Sequence, residues 1–179
     1  MAALQGTSPM GSGAHHIAPM GNTEIVKVLA DTFDNGLTGI TVLEEGYGTG
    51  FLIRRLLEAG VKKVVGIETV SSAGFLKELF HYDERVSLYG IDVMDLKLTC
   101  APWSECFSTV DAITCIIGLE GPSTEAIRMF FEVENVRAIV LLTPCAGFKA
   151  FVTSMIDRHF SDPDATVYIT AGRIVSVKL

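Results

Sequence analysis

The feature that most restricts the fold of this chain is a regular alternation of short apolar runs with segments of helical periodicity. The apolar runs lie at residues 40–43, 64–67, 86–91, 112–117 and 138–142. Most of the segments between them carry apolar residues three and four positions apart, as an amphipathic helix does. Strands without a polar face need helices on both sides, and this order makes neighbouring strands parallel. The sequence therefore predicts an α/β fold: a three-layer, doubly wound and mainly parallel sheet.

The two ends of the chain add to this prediction. Two β-branched runs at 166–170 and 174–179 flank a short turn at Ala171-Gly172, which favours an antiparallel hairpin and a sheet of about seven strands. Near the start, Asn22 is expected to cap the first helix, which ends at Asn35-Gly36. We therefore expect a flexible leader over 1–21 and a single domain over 22–179.

A glycine-rich segment lies where the first apolar run gives way to a helix. Residues 44–50 are Glu-Glu-Gly-Tyr-Gly-Thr-Gly. Glycine permits a tight turn and leaves space for a ligand against the backbone. Glu68 ends the next apolar run 20 residues after Gly48, about the spacing at which a carboxylate reaches ribose hydroxyls. Since parallel strands end on one side, these residues and the Asp92 region are expected to converge around a nucleoside-containing cofactor.

Composition excludes several classes of protein. The chain has 179 residues, 49% of them hydrophobic, and a mean hydropathy of +0.39, which suits one domain with a substantial core. Such hydropathy is high for a soluble domain, so a homo-oligomer or a protein partner is also expected. The net charge of −7 gives no general basic surface for nucleic acid. No apolar run approaches the roughly 18 residues that cross a membrane.

The cysteines favour a reducing compartment. Cys100, Cys106, Cys115 and Cys145 form no Cys-x-x-Cys pair, and no histidines follow them at zinc-binding intervals. We therefore expect free thiols, no bound metal and an intracellular, cytoplasmic location. The leader lacks the charged start and apolar stretch of a secretory signal. It is either a disordered segment or a flap that orders over a bound ligand.

The order of these motifs resembles that of the class I methyltransferases that use S-adenosylmethionine. A strand leads into Glu-x-Gly-x-Gly-x-Gly and a helix, Gly-Ile-Glu ends the second strand, and Gly-Ile-Asp-Val-Met ends the third at 90–94. Asp111 before the fourth strand and the closing hairpin also fit, so the resemblance spans roughly residues 22–179. It implies S-adenosylmethionine as the cofactor and methyl transfer as the activity.

The resemblance also implies roles for individual residues. Glu44 would bind the ammonium group of the methionine moiety, directly or through water. Glu68 would accept hydrogen bonds from both ribose hydroxyls, and Asp92 or Asp95 would receive the adenine amino group. Tyr47 would pack either on the cofactor or on the protein. The implied cofactor-binding set is Glu44, Gly46, Tyr47, Gly48, Gly50, Glu68, Asp92, Val93 and Ile116.

The acceptor of the methyl group has no clear signature. The fourth strand lacks the Asp/Asn-Pro-Pro-aromatic motif with which many enzymes methylate base amino groups, so a protein or small-molecule acceptor is favoured over nucleic acid. Glu120 is the candidate catalytic residue, because a carboxylate can help an amine to arrive neutral. The alternative is that Glu120 is a solvated loop residue without a catalytic role. Glu45 departs from the family, which commonly has an apolar residue there, and either faces solvent or alters the pocket.

Two other functions compete with methyl transfer. The missing catalytic signature and Glu45 also fit a non-catalytic, methyltransferase-like module that acts through a partner surface. A nicotinamide-dinucleotide enzyme usually has Gly-x-Gly-x-x-Gly, whereas Phe51 occupies the expected third glycine position here. The cofactor motifs alone are also similar, more weakly, to those of the Dot1-like lysine methyltransferases.

Overall fold

The computed structural model describes residues 18–68, 78, 80–92, 95, 107–116, 129, 130, 133, 135–142, 166–170 and 174–178. Within them, helix α1 is Ala18–Thr32 and helix α2 is Phe51–Glu58. The first five strands are β1 (Thr41–Glu45), β2 (Lys63–Glu68), β3 (Val86–Gly90), β4 (Ala112–Ile116) and β5 (Ala138–Leu142). They are followed by β6 (Thr166–Thr170) and β7 (Ile174–Lys178).

The strands form one sheet in the order β3-β2-β1-β4-β5-β7-β6. Strands β1 to β5 are all parallel to their neighbours, which confirms the predicted α/β class and mainly parallel sheet. Strand β7 is antiparallel to β5 and to β6. From β1 the chain proceeds outward to β2 and β3 and then crosses to β4 on the other side of β1. This reversal of strand order lies between β1 and β4, the place where open α/β sheets bind ligands.

The first helix begins earlier than predicted. Its first residue is Ala18, so Asn22 lies within α1 and the prediction of a helix cap there is wrong. Pro19 explains the earlier start, because a residue in the first helical turn has no intrahelical acceptor for the N–H that proline lacks. The helix ends at Thr32, and the chain turns through Gly36, whose φ of +60° suits glycine.

The core forms where α1 and α2 pack on one face of the sheet. Its members come from both helices and from the strands, and include Ile25, Leu29, Ile53, Leu56, Val42, Val64, Ala112, Ala138 and Val140. Alternate strand residues such as Leu43, Val65 and Ile113 point to the opposite face and are equally buried. Both faces of the sheet are therefore covered. The helices predicted to start at Ser71 or Ser72 and at Pro122 lie mostly outside the described residues, but Phe80 and Phe130, predicted to face the core from them, are helical and buried. The helix predicted around 148–156 lies wholly outside the described residues.

Asp111 holds the amino ends of three strands together. One carboxylate oxygen accepts the Thr41 N–H at 2.9 Å, and the other accepts a guanidinium N–H of Arg137 at 3.1 Å. Backbone bonds join the same residues, from the Asp111 N–H to Thr41 O and from the Arg137 N–H to Asp111 O. Asp111 therefore has a structural role at the end of the sheet opposite the glycine-rich segment. Within the described ranges no helix has the length and apolar character required to cross a membrane.

Candidate cofactor site

The carboxyl ends of the first four strands meet at one edge of the sheet. Strand β1 lies between β2 and β4, and its last residue, Glu45, is in register with Ile67 and Cys115. Strand β2 ends at Glu68, in register with Gly90 at the end of β3. The glycine-rich segment follows β1 directly. The structure therefore brings together the three segments that the sequence predicted to converge.

The glycine-rich segment is a tight turn whose backbone only glycine adopts easily. The φ angles of Gly46, Gly48 and Gly50 are +75°, +47° and +71°, all in the left-handed region. The Gly46 N–H donates to Ile67 O at 2.9 Å, which ties the turn to β2. Gly50 O accepts the Arg54 N–H at 3.1 Å as α2 begins. The turn is thus held by its backbone close to the end of β2.

Glu68 is joined directly to this turn. Its Oε2 accepts the Gly48 N–H at 3.0 Å, across the 20-residue separation on which the sequence argument depended. The carboxyl group therefore lies beside the glycine backbone, where a ribose packed on the turn would present its hydroxyls.

Glu44 is the most unusual residue of the site. Its side chain is 0% exposed, and neither carboxyl oxygen has a hydrogen-bond partner. Burial, followed by the nearby carboxylates of Glu68 and Glu45, raises its pKa from 4.5 to about 8. A buried polar group without a partner is costly and rare in folded proteins. A cationic donor from a ligand would satisfy it.

Tyr47 packs on the protein. Its ring is 2% exposed and lies on Gly66 of β2, where a Cβ atom would come within 2.8 Å of Tyr47 Cδ1. Its hydroxyl is buried and has no hydrogen-bond partner. Burial, with the charges of Glu68 and Glu44, raises the pKa of this hydroxyl to about 12. Tyr47 therefore supports the turn from beneath and adds a second unpartnered polar group near Glu44.

Glu45 faces strand β4. Its Oε2 accepts a hydrogen bond from the Cys115 thiol, with 2.7 Å between sulfur and oxygen. Burial raises the pKa of Glu45, the thiol hydrogen bond opposes this, and the charges of Glu68 and Asp92 raise it further. Burial, with Glu45, also raises the pKa of the free Cys115 thiol well above its ordinary value. Sequence reasoning missed this pair, although matching the ends of β1 and β4 would have placed the two residues side by side.

The remaining predicted residues are distributed as follows. Asp92 is exposed and lies two residues beyond the end of β3. The residue between them, Ile91, donates its N–H to Glu68 O of β2 at 2.7 Å. Asp95 is the other candidate for binding adenine, and its backbone N–H donates a hydrogen bond to Asp92 O at 3.0 Å. Ile116 ends β4, in register with Leu142. Val93 and Glu120 lie outside the described residues.

Replacing Glu45 by leucine is expected to stabilise the protein at pH 8 by about 1 kcal/mol, because removing a half-buried carboxylate outweighs the loss of its hydrogen bond from Cys115. Because the folded-state pKa of Glu45 is raised, its contribution to stability is complete below pH 4.5 and declines as pH rises through the raised value. The gain should therefore be smaller at pH 5 than at pH 8. Urea denaturation at both pH values measures it. A Glu45→Leu protein less stable than the wild type at pH 8 would contradict this interpretation.

The topology and the glycine turn together define the fold of the class I methyltransferases that use S-adenosylmethionine. The sequence itself matches no family profile and no curated protein. The methyltransferase domain of a bacterial Hen1 protein is similar, with a TM-score of 0.64 and 16% identity, over 89% of this chain and 97% of that one. A ribosomal protein L11 methylase from Lactobacillus delbrueckii subsp. bulgaricus has a TM-score of 0.62 and 14% identity, over 88% of this chain and 76% of its own.

A third similar structure contains the cofactor. Magnesium protoporphyrin IX methyltransferase from Synechocystis PCC 6803, solved with S-adenosylmethionine bound, has a TM-score of 0.57 and 19% identity. The match covers 96% of this chain and 86% of that enzyme. At such identities the similarity establishes the fold, and the site itself has to supply the argument for function.

Proposed function

We propose that this chain is an S-adenosylmethionine-dependent methyltransferase. The observation that carries the proposal is the fully buried, unpartnered carboxyl of Glu44 beside a glycine turn in this fold. S-adenosylmethionine presents cations and hydrogen-bond donors: an ammonium group, a sulfonium, two ribose hydroxyls and an adenine amino group. Carboxyl groups at the ends of β1 and β2 and directly after β3 are complementary to that set.

The same acidity argues against a nicotinamide dinucleotide. The pyrophosphate of such a cofactor is anionic and is usually held at a helix amino end that follows Gly-x-Gly-x-x-Gly. Here Glu44, Glu45 and Glu68 are close enough for the charge of one to raise the pKa of another. A phosphate group placed among them would be repelled.

The proposed roles of the residues follow from the chemistry of S-adenosylmethionine as a methyl donor. Bound S-adenosylmethionine supplies a methyl group on a sulfonium, so the protein mainly has to position the acceptor and exclude water. Glu44 would bind the ammonium group, and Glu68, held by the Gly48 N–H, would bind the ribose. Asp92 and Val93 would contact the adenine, and Ile116 would lie towards the methyl group. Glu120 remains the proposed carboxylate that helps an amine acceptor to lose its proton.

The proposal also includes the complete architecture. It is a three-layer sheet of seven strands with β6 and β7 as a hairpin, in one domain that begins with α1 at Ala18, four residues earlier than the sequence predicted. The buried residues on the face opposite α1 and α2, such as Leu43 and Val65, support a second helical layer because something must cover them. The free Cys115 thiol supports an intracellular location.

The proposed acceptor is a protein or a small molecule before nucleic acid. Similar structures include methyltransferases for magnesium protoporphyrin IX, for ribosomal protein L11 and for 23S ribosomal RNA. The net charge of −7 favours the first two kinds of acceptor, because an overall negative charge repels RNA phosphates.

Cofactor binding is the first test. Isothermal titration with S-adenosylmethionine should show binding, and Glu68→Ala should weaken it by on the order of 1–3 kcal/mol, since ribose hydroxyls lose their acceptor. Glu58→Ala is the matched control, because Glu58 is an exposed acid on α2 that forms an ion pair with Arg55. A thermal-shift experiment with S-adenosylmethionine and with nicotinamide dinucleotides shows which cofactor binds, since a ligand that binds the folded protein raises its melting temperature. No binding by the wild type at millimolar cofactor would contradict the proposal.

A methyl-transfer assay distinguishes an active methyltransferase from the non-catalytic binding module. When the protein is incubated with radiolabelled S-adenosylmethionine and candidate proteins or small amines, an acceptor should become labelled. The labelling should disappear in Gly48→Val, because a β-branched residue does not adopt the φ of +47° found there. Cofactor binding without labelling of any acceptor would favour the binding module.

A further inference from the structure

Among the described residues, the surroundings of Glu44 offer its carboxyl no counter-charge. In the sheet, Glu44 lies between Gly66 of β2, which has no side chain, and Thr114 of β4. The Thr114 hydroxyl instead donates to Leu43 O at 3.4 Å. Tyr47 packs over Gly66 and closes the site from the side of the turn. Neither strand neighbour therefore offers the carboxyl a hydrogen bond.

In the described part of the chain, the ionisable groups that interact with Glu44 are acidic. They are Glu45 on the same strand, Tyr47 in the turn, Glu68 at the end of β2 and Cys115 on β4, and Asp92 after β3 acts in turn on Glu45. The charged residues of α1 and α2 whose side chains are described are all exposed to solvent: Glu24, Lys27, Asp31, Arg54, Arg55 and Glu58. An ionised Glu44 would thus be desolvated and repelled with no compensating cation among the described residues.

The uncharged acid is the form that such an environment favours. Complete burial raises the pKa of Glu44 to about 8, and the carboxylates of Glu68 and Glu45 add to the effect. At pH 7 the carboxyl therefore retains its proton while no cationic ligand is bound. An arriving ammonium group reverses this preference, because it supplies both positive charge and donors to a carboxylate.

We propose that binding of an ammonium-bearing ligand at this site is coupled to release of the proton from Glu44. The inference rests on the proposed function and adds its regulation by pH. Protons compete with the ammonium group of the cofactor for the carboxylate of Glu44. Affinity should rise as pH increases from 6 to 8, by up to about tenfold per pH unit. Each binding event at pH 7 should release a large part of one proton, and at pH 9 far less.

The test is titration calorimetry with S-adenosylhomocysteine from pH 6 to 9, with the heats in phosphate and in Tris compared near pH 7.5, where both buffer. The two buffers differ in ionisation enthalpy, so released protons appear as a buffer-dependent heat. 5′-Methylthioadenosine is the matched ligand control, because it has the adenosine and sulfur but lacks the ammonium group. Its affinity should change little with pH and its heat should not depend on the buffer.

Glu44→Gln is the matched protein control. It keeps the size of the side chain and cannot ionise, so any remaining pH dependence belongs to the amine of the ligand. The difference between wild type and variant then isolates Glu44. If the variant fails to fold, the comparison of the two ligands on the wild type gives the same answer.

Two outcomes overturn the inference in distinguishable ways. Binding of S-adenosylhomocysteine with equal affinity at pH 6 and 8, and with buffer-independent heat, would refute proton coupling and leave the proposed function intact. Failure of both ligands to bind the wild type at every pH would refute the proposed function and the coupling together.

Discussion

The free energy of unfolding of the wild-type protein is expected to fall by about 3 kcal/mol between pH 5 and pH 7.5 because of Glu44 alone. Its folded-state pKa of about 8 lies above the ordinary value of 4.5, so the folded protein holds a proton that the unfolded chain loses. The contribution of Glu44 to stability is therefore complete below pH 4.5 and is lost progressively as pH rises to about 8.

Urea denaturation of wild type and Glu44→Gln at pH 5, 6 and 7.5 measures this effect. The variant should have a much flatter pH dependence and should exceed the wild type most clearly at pH 7.5. Glu58→Gln, a change of the same kind at an exposed position, should keep the wild-type slope. Parallel curves for wild type and Glu44→Gln would show that Glu44 is ionised at neutral pH in the folded protein.

The expected gain in stability accompanies a loss of function. Glutamine cannot form the charged pair with a ligand ammonium group that the proposed function requires. A residue that destabilises the ligand-free fold is typical of binding sites, where stability and activity conflict. A Glu44→Gln protein that is both more stable and deficient in cofactor binding would be consistent with this explanation.

Gly66→Ala is expected to destabilise the protein by about 1–3 kcal/mol through overpacking. A Cβ at this position would lie 2.5 Å from Leu88 Cδ2 and 2.8 Å from Tyr47 Cδ1. Leu88 can rotate, but the Tyr47 ring is buried and belongs to the glycine turn. The ring can yield only by moving the turn, so affinity for S-adenosylmethionine should fall as well.

Denaturation and calorimetry on the same variants separate these two effects. Gly36→Ala is the control: its added Cβ meets nothing within 4 Å, and the strain of its φ of +60° arises far from the site. It should lower stability by about 1 kcal/mol and leave cofactor affinity unchanged. Adding Leu88→Ala to Gly66→Ala should recover part of the loss, as a double-mutant cycle would show. A Gly66→Ala protein with unchanged stability and affinity would mean that Tyr47 does not hold the turn in place.

The strands were predictable because their signal is local. Runs of apolar residues bounded by polar ones predicted β5 without error and the other parallel strands to within two residues at either end. The start of α1 was not predicted, because Asn22 is a good cap wherever a helix begins, and cap preference cannot exclude a start at Ala18. Helix ends depend on a balance of weak preferences that a few residues can shift.

The site was predictable in its backbone and less so in its side chains. The glycine positions and the spacing to Glu68 predicted that a loop and a carboxylate would meet, and the Gly48 N–H to Glu68 bond is the result. The sequence left two alternatives open for Tyr47 and two for Glu45, and packing decided both. The Tyr47 ring packs on the protein at Gly66, and the Glu45 carboxyl accepts a hydrogen bond from Cys115 instead of facing solvent.

The amino-acid sequence by itself determined the class of fold, the strand that carries each acidic residue and the turn that glycine makes possible. These depend on apolar periodicity and on backbone conformation, which are properties of short segments. Only the tertiary structure decided that Glu44 is enclosed without a partner while Glu45, its immediate neighbour in the chain, has one. The reason is that hydrogen bonding and solvation of a side chain depend on what the adjacent strands place opposite it, across separations of 20 to 70 residues.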